Sequence, residues 1–187
     1  MSDRADVLWR RLDVPGHEAC RLRARRTGWE LSGTSVFRFE ARPVRLDYVV
    51  EINAAWRTKS ASVRGWFGDR EIALELRSDR NRRWWCNDQE YPEVAGAFDV
   101  DLAFSPSTNT LAIRRLNLTV GGSGDLRAAW LPFPELRPRP LDQRYTRLAD
   151  RRYRFESSSL SFMAELEVEA HGLVTRYPGL WEREEGT

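Results

Sequence analysis

Apolar side chains recur at every second position along most of this chain. In residues 44–52, Val44, Leu46, Tyr48, Val50 and Ile52 alternate with Arg45, Asp47 and Glu51. Successive side chains of a strand point to opposite faces, so this spacing predicts a strand with one buried and one wet face. The same alternation places Cys20, Leu22 and Ala24 against Arg21, Arg23 and Arg25, and Ile72, Leu74 and Leu76 against Glu71, Glu75 and Arg77. It returns in Val100, Leu102 and Phe104, in Tyr153 and Phe155, and most clearly in residues 162–169. Helical spacing is weak everywhere, and the short run 5–12 is its best candidate.

Turn-forming residues separate these runs. Pro15-Gly16, Gly28, Ser32-Gly33, Gly68-Asp69, the glycine-rich 121–124 and Pro178-Gly179 follow one another at roughly the 8 to 12 residue spacing of consecutive antiparallel strands. The proline-rich stretch 131–141 reads as an extended edge or a crossover. With no repeat and no shift in composition, the whole chain, 1–187, is expected to form one domain. The expected fold is all-β, about a dozen antiparallel strands arranged as a sandwich or a barrel. Beyond about eight strands, side chains alone do not fill a barrel, so such a sheet either collapses into a sandwich or encloses an apolar cavity that would suit a lipid or another large apolar ligand.

One stretch breaks the pattern. In 104–116, FSPSTNTLAIRRL, the apolar parity is odd at Leu111 and Ile113 and even at Leu116, Leu118 and Val120. The flip falls on Arg114-Arg115, where a β-bulge would absorb the extra residue. A guanidinium turned inward needs a carboxylate or an anionic ligand, and Asp99 and Asp101 on the preceding strand are the expected ion-pair partners.

Composition narrows the function classes. Thirty basic residues face 28 acidic ones for a net charge of +2, too balanced for a dedicated nucleic-acid binder. Clusters such as Arg21 to Arg26 and Arg82-Arg83-Trp84-Trp85 keep arginine-mediated nucleic-acid binding as an alternative. Two cysteines and two histidines, without ligand spacing, predict no metal and no disulfide framework, and no cofactor is expected. The first residues lack the apolar run of a signal peptide, and no long apolar segment follows, which predicts a cytoplasmic protein. Eight tryptophans supply large amphipathic side chains for a core or a pocket. Catalytic signatures are thin. Gly121-Gly122-Ser123-Gly124-Asp125 is not a nucleophile elbow, and Asp99 with Asp101, at i and i+2, share a sheet face as acid–base work on a sugar or ester would need.

The sequence resembles the bacterial glycolipid-binding protein family. The resemblance is carried by PSTNTLAIRRL at 106–116, FDVDLAF at 98–104, QRYTRL at 143–148, YRFES at 153–157 and the long segment 162–183 with its YPGL, and by GWELSGT at 28–34, DYVVEINAAWRT at 47–58 and PGHEACRL at 15–22. It implies a barrel or half-barrel similar to bacterial lipoprotein carriers, with a lipid or glycolipid as the partner. Ala97 departs from the cysteine expected before the aspartate pair, which removes a thiol from any chemistry there. Parity, aromatic placement and motif density together nominate Trp56, Phe104, Leu111, Ile113 and Trp130 for the wall of the concavity, and Asn109, Arg114, Arg115 and Tyr145 for polar contacts. Non-catalytic binding is thus the expected activity, with a hydrolase acting in the same cavity as the alternative.

Overall fold

A computed structural model describes residues 3–185. The long alternating runs become long strands, because each has one face to bury and one to wet. They are β1 (Arg4–Arg11), β2 (Gly16–Arg25), β3 (Gly28–Phe39), β4 (Arg42–Asn53), β5 (Thr58–Phe67) and β6 (Arg70–Ser78). Two short strands follow, β7 (Trp84–Cys86) and β8 (Gln89–Glu90), then β9 (Asp99–Leu102), the helix α1 (Asn109–Leu116) and β10 (Ser123–Leu131). The chain continues through β11 (Arg139–Ala149), β12 (Arg152–Ser157), β13 (Phe162–Val168), β14 (Val174–Tyr177) and β15 (Trp181–Arg183).

All fifteen strands join one sheet, ordered β8 to β1, then β15 back to β9. It is two meanders meeting where β1 pairs with β15 (Trp9 opposite Arg183). Every pairing is antiparallel except β9 with β10. The sheet is all-β in class and open, a half-barrel rather than a closed barrel. Its β9 edge comes against β5 without forming a ladder: Thr58 donates its amide to the Phe98 carbonyl (3.0 Å), and the Val100 amide donates to Thr58 Oγ1 (3.1 Å). Nearby, Trp84 Nε1 donates to the Ala97 carbonyl (3.0 Å).

The parallel β9–β10 pair dictates what fills the concave side. Parallel neighbours need a crossover of a dozen or more residues, usually carrying a helix. Residues 103–122 are that crossover, and α1 lies inside the concavity rather than over the outer face. Its Leu111, Ala112 and Ile113 are buried on successive sides. The bulged strand expected over Arg114-Arg115 is therefore a helix. Its apolar parity flips because helical period replaces strand period, and Asn117 ends it in the left-handed conformation (φ 43°). Conversely, 5–12, the best helical candidate, lies mostly in β1, where exposed Leu8 and inward Arg11 blur the alternation. Ser32-Gly33 is no turn either; it lies within β3.

The two ends of the concavity differ. At the base, Phe133 from the proline-rich loop packs edge-on against Phe37, Phe39 and Phe67, with ring centroids 5.0–5.4 Å apart. At the opposite end, the mouth, Trp29 and Trp56 stack at 5.0 Å.

Candidate functional site

Segment 103–117 threads the concavity from base to mouth, and its polar groups find partners on the surrounding wall. A buried irregular backbone must satisfy its own donors and acceptors. Ser35 Oγ on β3 donates to the Phe104 carbonyl (3.3 Å), and the Leu102 amide donates to Thr108 Oγ1 (3.2 Å). Thr110 Oγ1 donates to the Gly172 carbonyl in the β13–β14 turn (3.0 Å). Tyr145 Oη on β11 donates to Asn109 Oδ1 (2.7 Å).

The two arginines of α1 have separate surroundings. Arg115 holds Asp99 with both ends of its fork, Nη2 to Oδ2 at 2.5 Å and Nε to Oδ1 at 3.2 Å, and its guanidinium also lies 4.7 Å from the Phe98 ring. Burial pushes the Asp99 carboxyl upward while the adjacent guanidinium favours its ionised form. Among the described residues, Asp101 has no ion-pair partner. It accepts from Gln143 Nε2 (2.5 Å), and burial raises it to about 6, an amide being a weaker counterweight than a guanidinium. Arg114 does not reach the aspartates; its guanidinium stacks over Trp56 at 4.9 Å.

Trp56 is presented by a tight turn in which Asn53 Oδ1 accepts from the Ala55 and Arg57 amides (2.9 and 3.1 Å). Its φ of 57° is rare for so bulky a residue, a strain that recurs at ligand sites. Beside this stack opens a cleft of about 490 Å³, lined by Ile113, Arg114, Arg147, Asp150, Tyr153 and Glu169 among others. Arg147 shapes the rim by donating to the Leu118 and Asp150 carbonyls (2.8 and 2.7 Å), which ties the end of α1 to β11.

A second polar centre lies at the base. Glu18 on β2 is wholly buried, and its Oε1 accepts from Tyr48 Oη (2.6 Å) and Ser105 Oγ (2.5 Å). Ser105 Oγ is also 2.6 Å from Ser107 Oγ. Desolvation pushes Glu18 up to about 8, and it raises Tyr48 and Cys20 beside it as well. Gly33 makes room for the phenol: a Cβ there would meet Tyr48 Oη at 2.5 Å.

The structure thus gathers Asn109, Arg115, Tyr145 and Asp99 around α1, and Trp56 with Arg114 at the mouth. Phe104, Leu111 and Ile113 are buried on the inserted segment itself, rather than on a strand of the wall as expected. Trp130 stands apart, half-buried on β10 toward the base and in register with Asp101. Glu18 was missed in the sequence, although extending the alternation of Cys20 and Leu22 back by two residues puts a carboxylate on the apolar face. On the outer face the exposed arginines are interleaved with carboxylates, as in Arg21–Asp6, Arg25–Glu30, Arg64–Glu75 and Arg127–Asp142. Among the described residues no cluster of His, Cys, Asp or Glu is placed to hold a metal ion, and no helix is long and apolar enough to cross a membrane.

Comparison with known proteins agrees with this architecture. No curated protein matches the chain. It is similar to the crystal structure of a DUF1089 family protein from Pseudomonas aeruginosa, with a TM-score of 0.80 and 33% identity over 89% of this chain and 91% of that one. A family described as "Putative glycolipid-binding" matches residues 6–183. Sheet, inserted helix and sequence match therefore place the chain in this glycolipid-binding family.

Proposed function

We propose that the protein binds a glycolipid non-covalently on the concave side of its sheet. The sugar head group sits in the cleft at the mouth, and the apolar tail runs inward past Ile113, Tyr153 and Val168. The observation that carries this reading is the mixed lining of the cleft. Arg114, Arg147 and Arg151 supply donors, while Asp150 and Glu169 supply acceptors, beside an apolar floor. Sugar hydroxyls both donate and accept, so a rim of both signs suits them better than it suits an anion. The stacked Trp29–Trp56 pair and the Arg114 guanidinium give the mouth an aromatic and cationic edge. The tail takes space that 103–108 now fills, so binding requires that stretch to yield while α1 keeps Ile113 and Arg114 at the cleft.

The test combines two measurements. Organic extraction of purified protein followed by mass spectrometry is expected to recover a lipid bearing a sugar. Titration with dodecyl maltoside below its micellar concentration is expected to give a saturable change in tryptophan fluorescence. No retained lipid together with no saturable response overturns the reading.

A further inference from the structure

The polar centre at the base divides cleanly by origin. Glu18, Tyr48 and Ser35 belong to β2, β4 and β3, three adjacent strands of the wall. What they bind, the Ser105 hydroxyl and the Phe104 carbonyl, belongs to the inserted segment. Apolar surfaces surround the set, with Phe104 packed edge-on to Tyr48 at 6.2 Å and Phe37 nearby in the core. The wall retains unused capacity, because Glu18 Oε2 and Arg11 Nη1 are both buried without a hydrogen-bond partner among the described residues. Leaving such atoms unmade is costly, so a site that keeps them is built for more than the partner it now holds.

We infer that Glu18, Tyr48 and Ser35 form a hydroxyl-recognition site for the acyl chain of the lipid, and that Ser105 with Phe104 occupies it as an internal surrogate. The inference rests on the lipid-binding reading and deepens it by naming the ligand subclass, a lipid whose chain carries a hydroxyl far from its head group. A hydroxyl beside a large apolar group is what Ser105 and Phe104 present to these three residues, with the Ser107 hydroxyl 2.6 Å behind it on the same segment. The site lies at least the length of α1 from the mouth, about 12 Å for eight residues, so a head group in the cleft leaves mid-chain or terminal carbons at the base. Ligand entry and withdrawal of 103–108 become one exchange, in which the chain's hydroxyl takes the Ser105 position.

Binding of 12-hydroxydodecanoate and of dodecanoate, followed by tryptophan fluorescence, tests the idea in the wild type, Glu18→Leu, Glu18→Gln and Ser105→Ala. The wild type should prefer the hydroxylated chain about fivefold, the factor set by one net hydrogen bond. Glu18→Leu should abolish the preference while dodecanoate binding persists, and Glu18→Gln, which still accepts and is nearly isosteric, should retain it. Ser105→Ala should tighten both probes about threefold and speed amide exchange in 103–117, a readout that needs no ligand. Circular dichroism checks that each variant is folded. Saturable binding of both probes with equal affinity in the wild type overturns the inference and leaves lipid binding standing. Unchanged exchange in Ser105→Ala overturns the surrogate role. No saturable response to either acid or to dodecyl maltoside defeats the lipid-binding reading and this inference with it.

Discussion

The two ends of segment 103–117 solve opposite problems. At its base, the Ser105 hydroxyl is buried and held by Glu18, and the Phe104 carbonyl by Ser35. At its mouth, Arg114 rests on Trp56 and faces an open cleft. Beside it, on another side of the same last helical turn, Arg115 is clamped to Asp99, whose side chain is 3% exposed. Two adjacent arginines of one helix thus divide the work, one oriented to the fold and one to solvent. The difference teaches that the end of the inserted segment is anchored on its Arg115 side and available for binding on its Arg114 side. Substitutions should therefore cost stability in proportion to their depth.

Arg115→Leu strands a buried carboxylate and should produce the largest loss, about 3–5 kcal/mol on the scale of broken buried pairs, read by urea denaturation. A loss below 1 kcal/mol would place the anchor elsewhere. The effect of pH comes next. Glu18 has its folded-state pKa raised from 4.5 to about 8, so the folded state binds the extra proton. Its contribution is complete below pH 4.5 and is lost as the pH rises through about 8. Asp101, raised from 3.8 to about 6, acts with the same sign over a lower window. Urea midpoints should therefore fall from pH 5 to 8.5, and Glu18→Gln should flatten the upper half of that slope. A flat wild-type profile would mean that the base is wet.

Gly33→Ala should cost about 1–3 kcal/mol by overpacking, since the added methyl meets both Tyr48 Oη and the Ala19 carbonyl (2.7 Å). An equal and opposite test lies at the mouth. Arg114→Ala should cost only about 0.5–1 kcal/mol, the worth of a half-exposed cation–π contact. The same change should weaken dodecyl maltoside binding about fivefold, as expected for one lost polar contact. If Arg114→Ala unfolds the protein as readily as Arg115→Leu, the contrast between base and mouth disappears.

The strands were legible in the sequence where one face is wet. In β4, β12 and β13, every residue of the apolar parity turns inward, since solvent on the other side keeps the alternation sharp. The inserted helix was not legible, for a topological reason. Nothing local in Asp99–Leu102 or Ser123–Leu131 announces that these strands run parallel, so nothing announced the crossover between them. At eight residues, with Thr110 to Ile113 buried in succession, α1 is also too short to repeat the helical stripe by which a helix is usually read. The ion-pair geometry separates what parity could not: Asp99 meets Arg115, whereas Asp101 meets Gln143. Gly33 misled for a related reason, because its missing side chain serves a close approach from Tyr48 rather than a bend.

The pairing of β1 with β15 has a kinetic consequence. It brings Trp9 into register with Arg183, and so closes a loop of nearly the whole chain at the centre of the sheet. Each meander can assemble from hairpins between sequence neighbours, whereas this central junction must wait for both. The entropy of so long a closure is recovered only when the last ladder forms. Folding should consequently be slow for the chain's size, with two curved half-sheets formed early and the inserted segment trapped between them as they join.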